Sequence, residues 1–315
     1  MLRIALSLIL SVLVACGGEA PPPDDDRSIH AVAAAPLLPE GCTPGTVYPD
    51  TLKVVSIPYM GTDTTGEVFQ DIATGISEEL HMPVEWTIGK DYESAVNQLL
   101  SGQVHVASLS PLAYVKAREQ MPCLKLLATQ VSRGDTRYSS FILVRKDRGI
   151  TSVKQLEGKR IAFVNPASAS GFLFPMATLI DAGLDPARVI KDAVFLEAHP
   201  KVIAAVVAGE VDAGATFFGA VTAARAQQVD TGVLRVLALA GRIPFDAVVA
   251  HPDVDPELAR RVQAAFLALN STTDRGRTAL GHLIEINGWV LPSEEVYETV
   301  RTTLSLVRAA TRGKP

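Results

Sequence analysis

Basic clusters, aromatic side chains and long apolar runs are all scarce in this sequence. Its 315 residues carry 29 Lys and Arg against 34 Asp and Glu, a formal net charge of −5, and only 6% aromatics. A nucleic-acid partner would require a Lys/Arg footprint that is absent, so that class is excluded. Beyond the amino terminus, no stretch is apolar enough over enough length to cross a bilayer. Catalytic signatures are missing too. Ser170 lies in Ala167-Ser168-Ala169-Ser170-Gly171, which lacks the first glycine of a nucleophile elbow, and there is no phosphate loop or dinucleotide fingerprint. The six histidines are scattered, with no His-x-x-x-His and no Cys-x-x-Cys, so a zinc site has no support. No metal and no cofactor are expected, and an enzyme of unknown type is the different-class rival to a binding role.

What is present begins at the amino terminus. Arg3 precedes an apolar run from Ile4 to Val14, about ten residues, too short to span a membrane and suited to a signal-peptide core. The run ends in Leu13-Val14-Ala15-Cys16, which resembles the bacterial lipoprotein cleavage box. Residues 1–15 are therefore read as a signal and Cys16 as the lipidated residue; an ordinary secretory signal cut elsewhere is the alternative. The stretch Gly17 to Pro39 holds a proline triplet, the acidic run Asp24-Asp25-Asp26 and small residues. It cannot fill a core and reads as a flexible tether, placed at 16–48. Cys42 and Cys123 then remain as an even pair. A disulfide, two inert buried thiols and a thiol site for a soft metal or metalloid are all compatible with the sequence.

From Thr51 onward, strand-like and helical patterns alternate. Strands are expected at Leu52 to Pro58, Pro83 to Ile88, Val104 to Leu109, Leu124 to Gln130 and Tyr138 to Val144. Helices are expected at Val68 to Leu80, Tyr92 to Leu100 and Ser110 to Arg118. This alternation predicts a largely parallel sheet covered by helices. A second unit repeats it, with strands at Arg160 to Val164, Val194 to Leu196, Val211 to Phe217 and Val233 to Leu239. Its helices run from near Gly171 and from His199-Pro200 to Gly209, with Pro in a first turn and Gly at an exit. The tail from Pro256 to Arg312 reads as helical, broken at Trp289-Val290-Leu291. The expected architecture is α/β with two lobes and a hinge. Residues 49–133 and 245–315 form lobe 1, 134–244 form lobe 2, and the crossings lie near 132–137 and 239–246.

The segment Asn165 to Phe172 follows a strand and opens a helix, gathering two hydroxyls and several free N–H groups at a positive helix end. That arrangement suits an anion, although the segment alone favours simple N-capping. Pro175 must fall in or near the first turn.

An ordered series of segments resembles the phosphate, phosphite and phosphonate-binding proteins of ABC importers, the PhnD-like group. It includes Ser56-Ile57-Pro58-Tyr59, Pro83-Val84-Glu85-Trp86 with Asp91-Tyr92, Gly102-Gln103-Val104 with Ser110-Pro111-Leu112-Ala113-Tyr114, and Leu156 to Phe163. Ser168 to Pro175, His199 and Gly209 to Ala215 continue it. The resemblance implies a type II periplasmic-binding-protein fold with the ligand in the inter-lobe cleft. It also implies ligand contacts from Tyr59, Tyr114, Ser168, Ser170, His199 and Asp212. Hydroxyls donate to a tetrahedral anion without full counter-charge, and Asp212 would accept a P–OH and so reject sulfate. The expected partners are a small oxyanion, an ABC permease and the membrane through the lipid. A sensor kinase partner is the alternative, as is a metalloid binder using Cys123 as thiolate. Two departures from the family pattern stand out: Ala169 replaces a hydroxyl between the serines, and Met60 to Gly66 is rich in small and hydroxyl residues that would remodel one pocket wall.

Overall fold

The computed structural model describes residues 38–280 and 286–312. The signal segment 1–15, the lipid site Cys16 and most of the tether expected at 16–48 lie outside the described residues. The chain enters through β1 (Leu52–Ser56), α1 (Thr62–Leu80), β2 (Val84–Ile88), α2 (Tyr92–Leu100), β3 (Val106–Leu109), α3 (Pro111–Gln120) and β4 (Lys125–Val131). It crosses to a second sheet through β5 (Arg137–Arg145) and β6 (Ile161–Phe163), then α4 (Phe174–Asp181), α5 (Pro186–Asp192) and β7 (Val194–Phe195). The helix α6 (His199–Ala208), β8 (Ala213–Phe217), α7 (Phe218–Ala226) and β9 (Leu234–Pro244) complete that half. The chain returns through β10 (Ala247–Ala250), α8 (Pro256–Ala268), α9 (Asp274–Leu280), β11 (Gly288–Val290) and α10 (Glu298–Arg312).

The sheet orders are β11-β4-β10-β3-β1-β2 and β7-β6-β8-β5-β9. Each half places its second, first and third strands in parallel, then inserts an antiparallel strand arriving from the other half, β10 in one and β5 in the other. The expectation of a largely parallel sheet is therefore corrected. A crossing strand enters each sheet from the far side, so it must run against its neighbours. The second half repeats the topology of the first. Strands buried on both faces read as unbroken apolar runs, as in Ala247-Val248-Val249-Ala250, all fully buried.

Local chemistry explains several element ends. Asp91 caps α2 with a reciprocal box, accepting from the Ser94 amide at 2.6 Å while the Ser94 hydroxyl receives the Asp91 N–H at 3.1 Å. Gly209 takes φ 74° to end α6. The segment from Met60 to Gly66, expected to be a pocket wall, instead contributes the opening turns of α1, which starts before the expected Val68. The helices α5 and α7 were not foreseen.

The carboxyl-terminal helix α10 packs against both α3 and α4, so it spans the two halves. Paired hydrogen bonds from Arg308 to Glu119 at 2.7 and 2.8 Å tie it to α3. Cys42 and Cys123 form a disulfide, which removes the Cys123 thiolate on which a metalloid site depended. Residues up to 48 were expected in the tether, but Val47 makes an isolated bridge with Val254. Gly45 permits that approach: a Cβ there would sit 2.1 Å from the Asp253 carbonyl oxygen. Residues Cys42 to Val47 are thus joined to the folded body. Among the described residues, no helix is long and apolar enough to cross a membrane.

Candidate functional site

A cavity of about 40 Å³, room for a few waters or one tetrahedral oxyanion, lies between the two sheets. Its wall brings together Ile57, Tyr59, Tyr92, Ser110 and Gln130 from the first half with Tyr138, Ser168, Ser170, His199 and Phe217 from the second. Phe245 and Asp246, on the return crossing, complete it. Among the described residues, no lysine or arginine is in the wall.

The halves are closed over this cavity by direct hydrogen bonds. The His199 amide donates to the Tyr59 carbonyl at 3.0 Å. The Ser110 hydroxyl donates to the Ala167 carbonyl at 2.9 Å, and the Lys116 ammonium to the Pro166 carbonyl at 2.8 Å.

The serine loop is held by an unusual helix start. Residues Ala169–Leu173 form a π turn, and Pro175 falls at the first turn of α4, as its missing N–H requires. Carbonyls that the proline leaves without a helical donor are satisfied elsewhere. Gly171 accepts from the Val164 amide at 3.0 Å, and Ser170 from the Ser140 hydroxyl at 2.8 Å. Gly171 admits no side chain, since a Cβ would lie 2.4 Å from a Val164 methyl. Ser168 caps the turn by accepting the Gly171 amide at 3.0 Å. Capping uses its lone pair and leaves its O–H to donate, so the capping and binding readings are compatible. The Ser170 oxygen likewise receives the Tyr138 hydroxyl at 3.2 Å, leaving its own proton for the cavity.

Helix N-termini supply positive potential in place of cations. Tyr92 is the first residue of α2, Ser110 caps α3, Ser168 caps the π turn leading to α4, His199 opens α6 and Phe217 caps α7. Each end carries partial positive charge toward the same cavity. Burial pushes the Tyr92 and Tyr138 phenols above their ordinary range, with the Asp246 carboxylate reinforcing it, so both remain donors.

His199 is 2% exposed, and burial drives it down to about 3, so the ring is neutral. Its Nδ1 meets the Thr216 hydroxyl at 2.9 Å, and Phe217 meets the ring edge-on at 4.8 Å between centroids. When Thr216 donates to Nδ1, the proton sits on Nε2. Burial pushes Asp246 up to about 7, so near neutrality this carboxyl either donates as an acid or accepts as an anion.

Of the residues expected from the sequence, Tyr59, Ser168, Ser170 and His199 converge here. Tyr114 does not. It lies one turn into α3, fully buried, donating to Glu294 Oε1 at 2.5 Å and packed edge-on against Tyr297 at 4.8 Å. Asp212 does not either. Its Oδ2 accepts the Arg160 amide at 2.9 Å at the amino end of β8. The cavity lies at the carboxyl end of that strand, beside Phe217, five residues and about 15 Å away. The carboxyl in the cavity wall is that of Asp246. The signal was available, because Asp246 falls within the expected second crossing, and Tyr92 directly follows a helix cap. Among the described residues, no cluster of three or more His, Cys, Asp or Glu is arranged for a metal.

Two sheets with exchanged antiparallel strands, closed over a central cavity, define the type II class of periplasmic binding proteins. Solved structures share the fold. One is PhnD1 from Prochlorococcus marinus in complex with methylphosphonate, at TM-score 0.71 and 21% identity, covering 83% of this chain and 99% of that one. Another is a binding-protein component of an ABC phosphonate transporter from Pseudomonas aeruginosa, at TM-score 0.75 and 16% identity, covering 84% and 88%. The phosphate-import protein PhnD of Mycolicibacterium smegmatis is 26% identical over 263 residues, 76% of this chain and 82% of that protein. Residues 54–297 match the family of periplasmic substrate-binding proteins of phosphonate ABC transporters, and the chain belongs to that family. Such a protein captures a solute for an importer and catalyses no reaction.

Proposed function

We propose that this protein captures a small, proton-bearing phosphorus oxyanion, namely phosphate, phosphite or a short phosphonate, and presents its closed form to a membrane permease. The observation that carries the reading is the cavity wall: hydroxyls, a neutral imidazole and converging helix N-termini, with no full cation and one carboxyl among the described residues. Tyr92, Ser168, Ser170 and His199 are the donors, and Tyr138 supports Ser170 by donating to its oxygen. Asp246 accepts the P–OH, or donates when protonated. Where Asp246 is ionised, sulfate, which has no proton at neutral pH, would leave the carboxylate facing an oxygen, an unpaired buried acceptor that costs about 1–3 kcal/mol. The names of the Mycolicibacterium and Prochlorococcus proteins support the same ligand class.

Residues 49–133 with 245–315 and residues 134–244 act as the two hinged lobes in this reading, and the anion bridges them, favouring closure by its differential affinity. Cys16 carries the lipid that tethers the body to the membrane. Calorimetry and thermal melting with phosphate, phosphite, methylphosphonate, sulfate and arsenite test the ligand class. A phosphorus oxyanion at a hundred times its dissociation constant stabilises the fold by about 2.7 kcal/mol, and above neutrality, where Asp246 is ionised, sulfate and arsenite leave it unchanged. Silence with every phosphorus oxyanion overturns the proposal. Replacing Cys16 with serine moves the protein from the membrane fraction to the soluble one if the anchor is real.

A further inference from the structure

A second pocket backs onto the oxyanion cavity. It is lined by Ser132, Arg133, Asp135, Arg137 and Arg242 on the two crossing segments, with Phe218 beside them. Tyr138, Phe217 and Phe245 line both this pocket and the cavity, so the partition between them is three aromatic rings. Tyr138 stacks on Phe245 at 4.8 Å between centroids and meets Phe217 edge-on at 5.4 Å.

The charges in this pocket do not cancel. Asp135 is taken by Arg242, and its other oxygen accepts the Arg137 backbone amide at 2.8 Å. The Arg133 guanidinium sits over the exposed Phe218 ring at 5.5 Å from the centroid. The guanidinium of half-buried Arg137 has no hydrogen-bond or ion-pair partner among the described residues. A partly desolvated, unpaired guanidinium is unfavourable, and this one is held on a chain whose net charge is −5. Its planar fork matches a carboxylate or phosphoryl group.

We propose that the pocket formed by Arg133, Arg137 and Phe218 receives a second anionic group of the ligand, so that the preferred solutes are phosphonates whose carbon substituent ends in a carboxylate or another phosphoryl group. This rests on the oxyanion reading of the adjoining cavity and specifies its substrate class. The substituent threads between side-chain rings rather than backbone. Two of those rings, Tyr138 and Phe245, flank the crossings, so the partition parts and closes with the hinge. Cavity residues hold the first oxyanion and the arginines hold the second.

Calorimetry on the full chain with methylphosphonate, phosphonoacetate and 3-phosphonopropionate tests this. The wild-type protein binds at least one carboxylate-bearing probe about tenfold more tightly than methylphosphonate. In Arg137→Gln that preference disappears while methylphosphonate affinity is retained, and Arg133→Gln reduces it partially. Equal affinity for all three probes in the wild type overturns the proposal. So does an Arg137→Gln effect that is the same for every probe, which marks the arginines as a general attractor of anions. If methylphosphonate, phosphate and phosphite all fail to bind, the oxyanion reading itself has failed, a result separate from loss of the preference alone.

Discussion

Asp212 and Asp246 stand at opposite ends of the second half of the molecule, and each had a claim to the ligand. Asp212 is at the amino end of β8, where its carboxylate satisfies the Arg160 amide. Asp246 is on the return crossing, at the carboxyl end of the same sheet, where it meets the cavity and burial raises its proton affinity. The residue type is the same and the chemistry is not. In open α/β sheets ligands gather at the carboxyl ends of parallel strands, where helix N-termini converge. Location relative to that edge separates a structural carboxylate from a binding one. The tyrosines repeat the contrast: Tyr92 opens a helix and faces the cavity, whereas Tyr114, one turn into its helix, is anchored to Glu294.

The largest effect should separate the two aspartates. Asp246→Asn weakens a proton-bearing phosphorus oxyanion by about 10- to 100-fold, the worth of a hydrogen bond to a charged partner. Asp212→Asn leaves affinity within about twofold and lowers stability by about 1 kcal/mol. Calorimetry and denaturant melts on both variants check this, and equal affinity losses would erase the distinction.

Stability against pH comes next. Asp246 has its affinity for a proton raised from 3.8 to about 7 in the folded state. Between those values the native state holds a proton that the unfolded chain has released, so this group's contribution to stability declines as pH rises and is level above about 7. His199 is lowered from 6.5 to about 3. Here the unfolded chain takes up the proton, so stability declines as pH falls through that window. Between about pH 4 and 6.5 the two slopes oppose each other, about 1.4 kcal/mol per pH unit each. Asp246→Asn should expose the histidine slope and make the protein more acid-sensitive, while His199→Gln should make it more stable toward acid. Melting temperatures measured from pH 4 to 8 without ligand report both, and parallel profiles would refute the assignment.

A smaller effect distinguishes the tyrosines. Tyr92→Phe reduces oxyanion affinity by about 5- to 10-fold, one hydrogen bond, with little change in melting. Tyr114→Phe leaves affinity intact and costs about 1–2 kcal/mol, because Glu294 loses a donor while keeping Arg118 and Arg301. The smallest change in affinity is expected for Ser110→Ala, which removes one bond across the cleft along with the cap of α3. It should relax the closed form by about 0.5–1.5 kcal/mol, read as faster ligand release in stopped-flow.

Much of the fold was legible because burial imposes a period on the chain. The run Tyr92 to Leu100 places Tyr92, Ala95, Val96 and Leu99 on one buried face, and its helical spacing with the Asp91 cap marks both start and content. The serine loop was legible for a similar reason: a strand, two hydroxyls, a glycine and a proline in that order leave few conformations. The direction of β10 was not. An apolar strand reads alike whether it pairs parallel or antiparallel, and only the return from the second sheet imposes the orientation. Tyr138, Phe217 and Phe245 were also passed over as site residues, since an aromatic at a strand end looks the same in a core and in a cavity wall.

The sequence by itself determined the alternation of strands and helices, the paired α/β halves and the serine loop at a helix start, because each is a matter of local propensity, periodicity or composition. Only the tertiary structure decided which carboxyl and which tyrosines meet the cavity and that Cys42 reaches Cys123. It also decided that Arg137 lies behind the aromatic wall. Those facts depend on which distant segments share an edge of a sheet, and no local pattern records that distance.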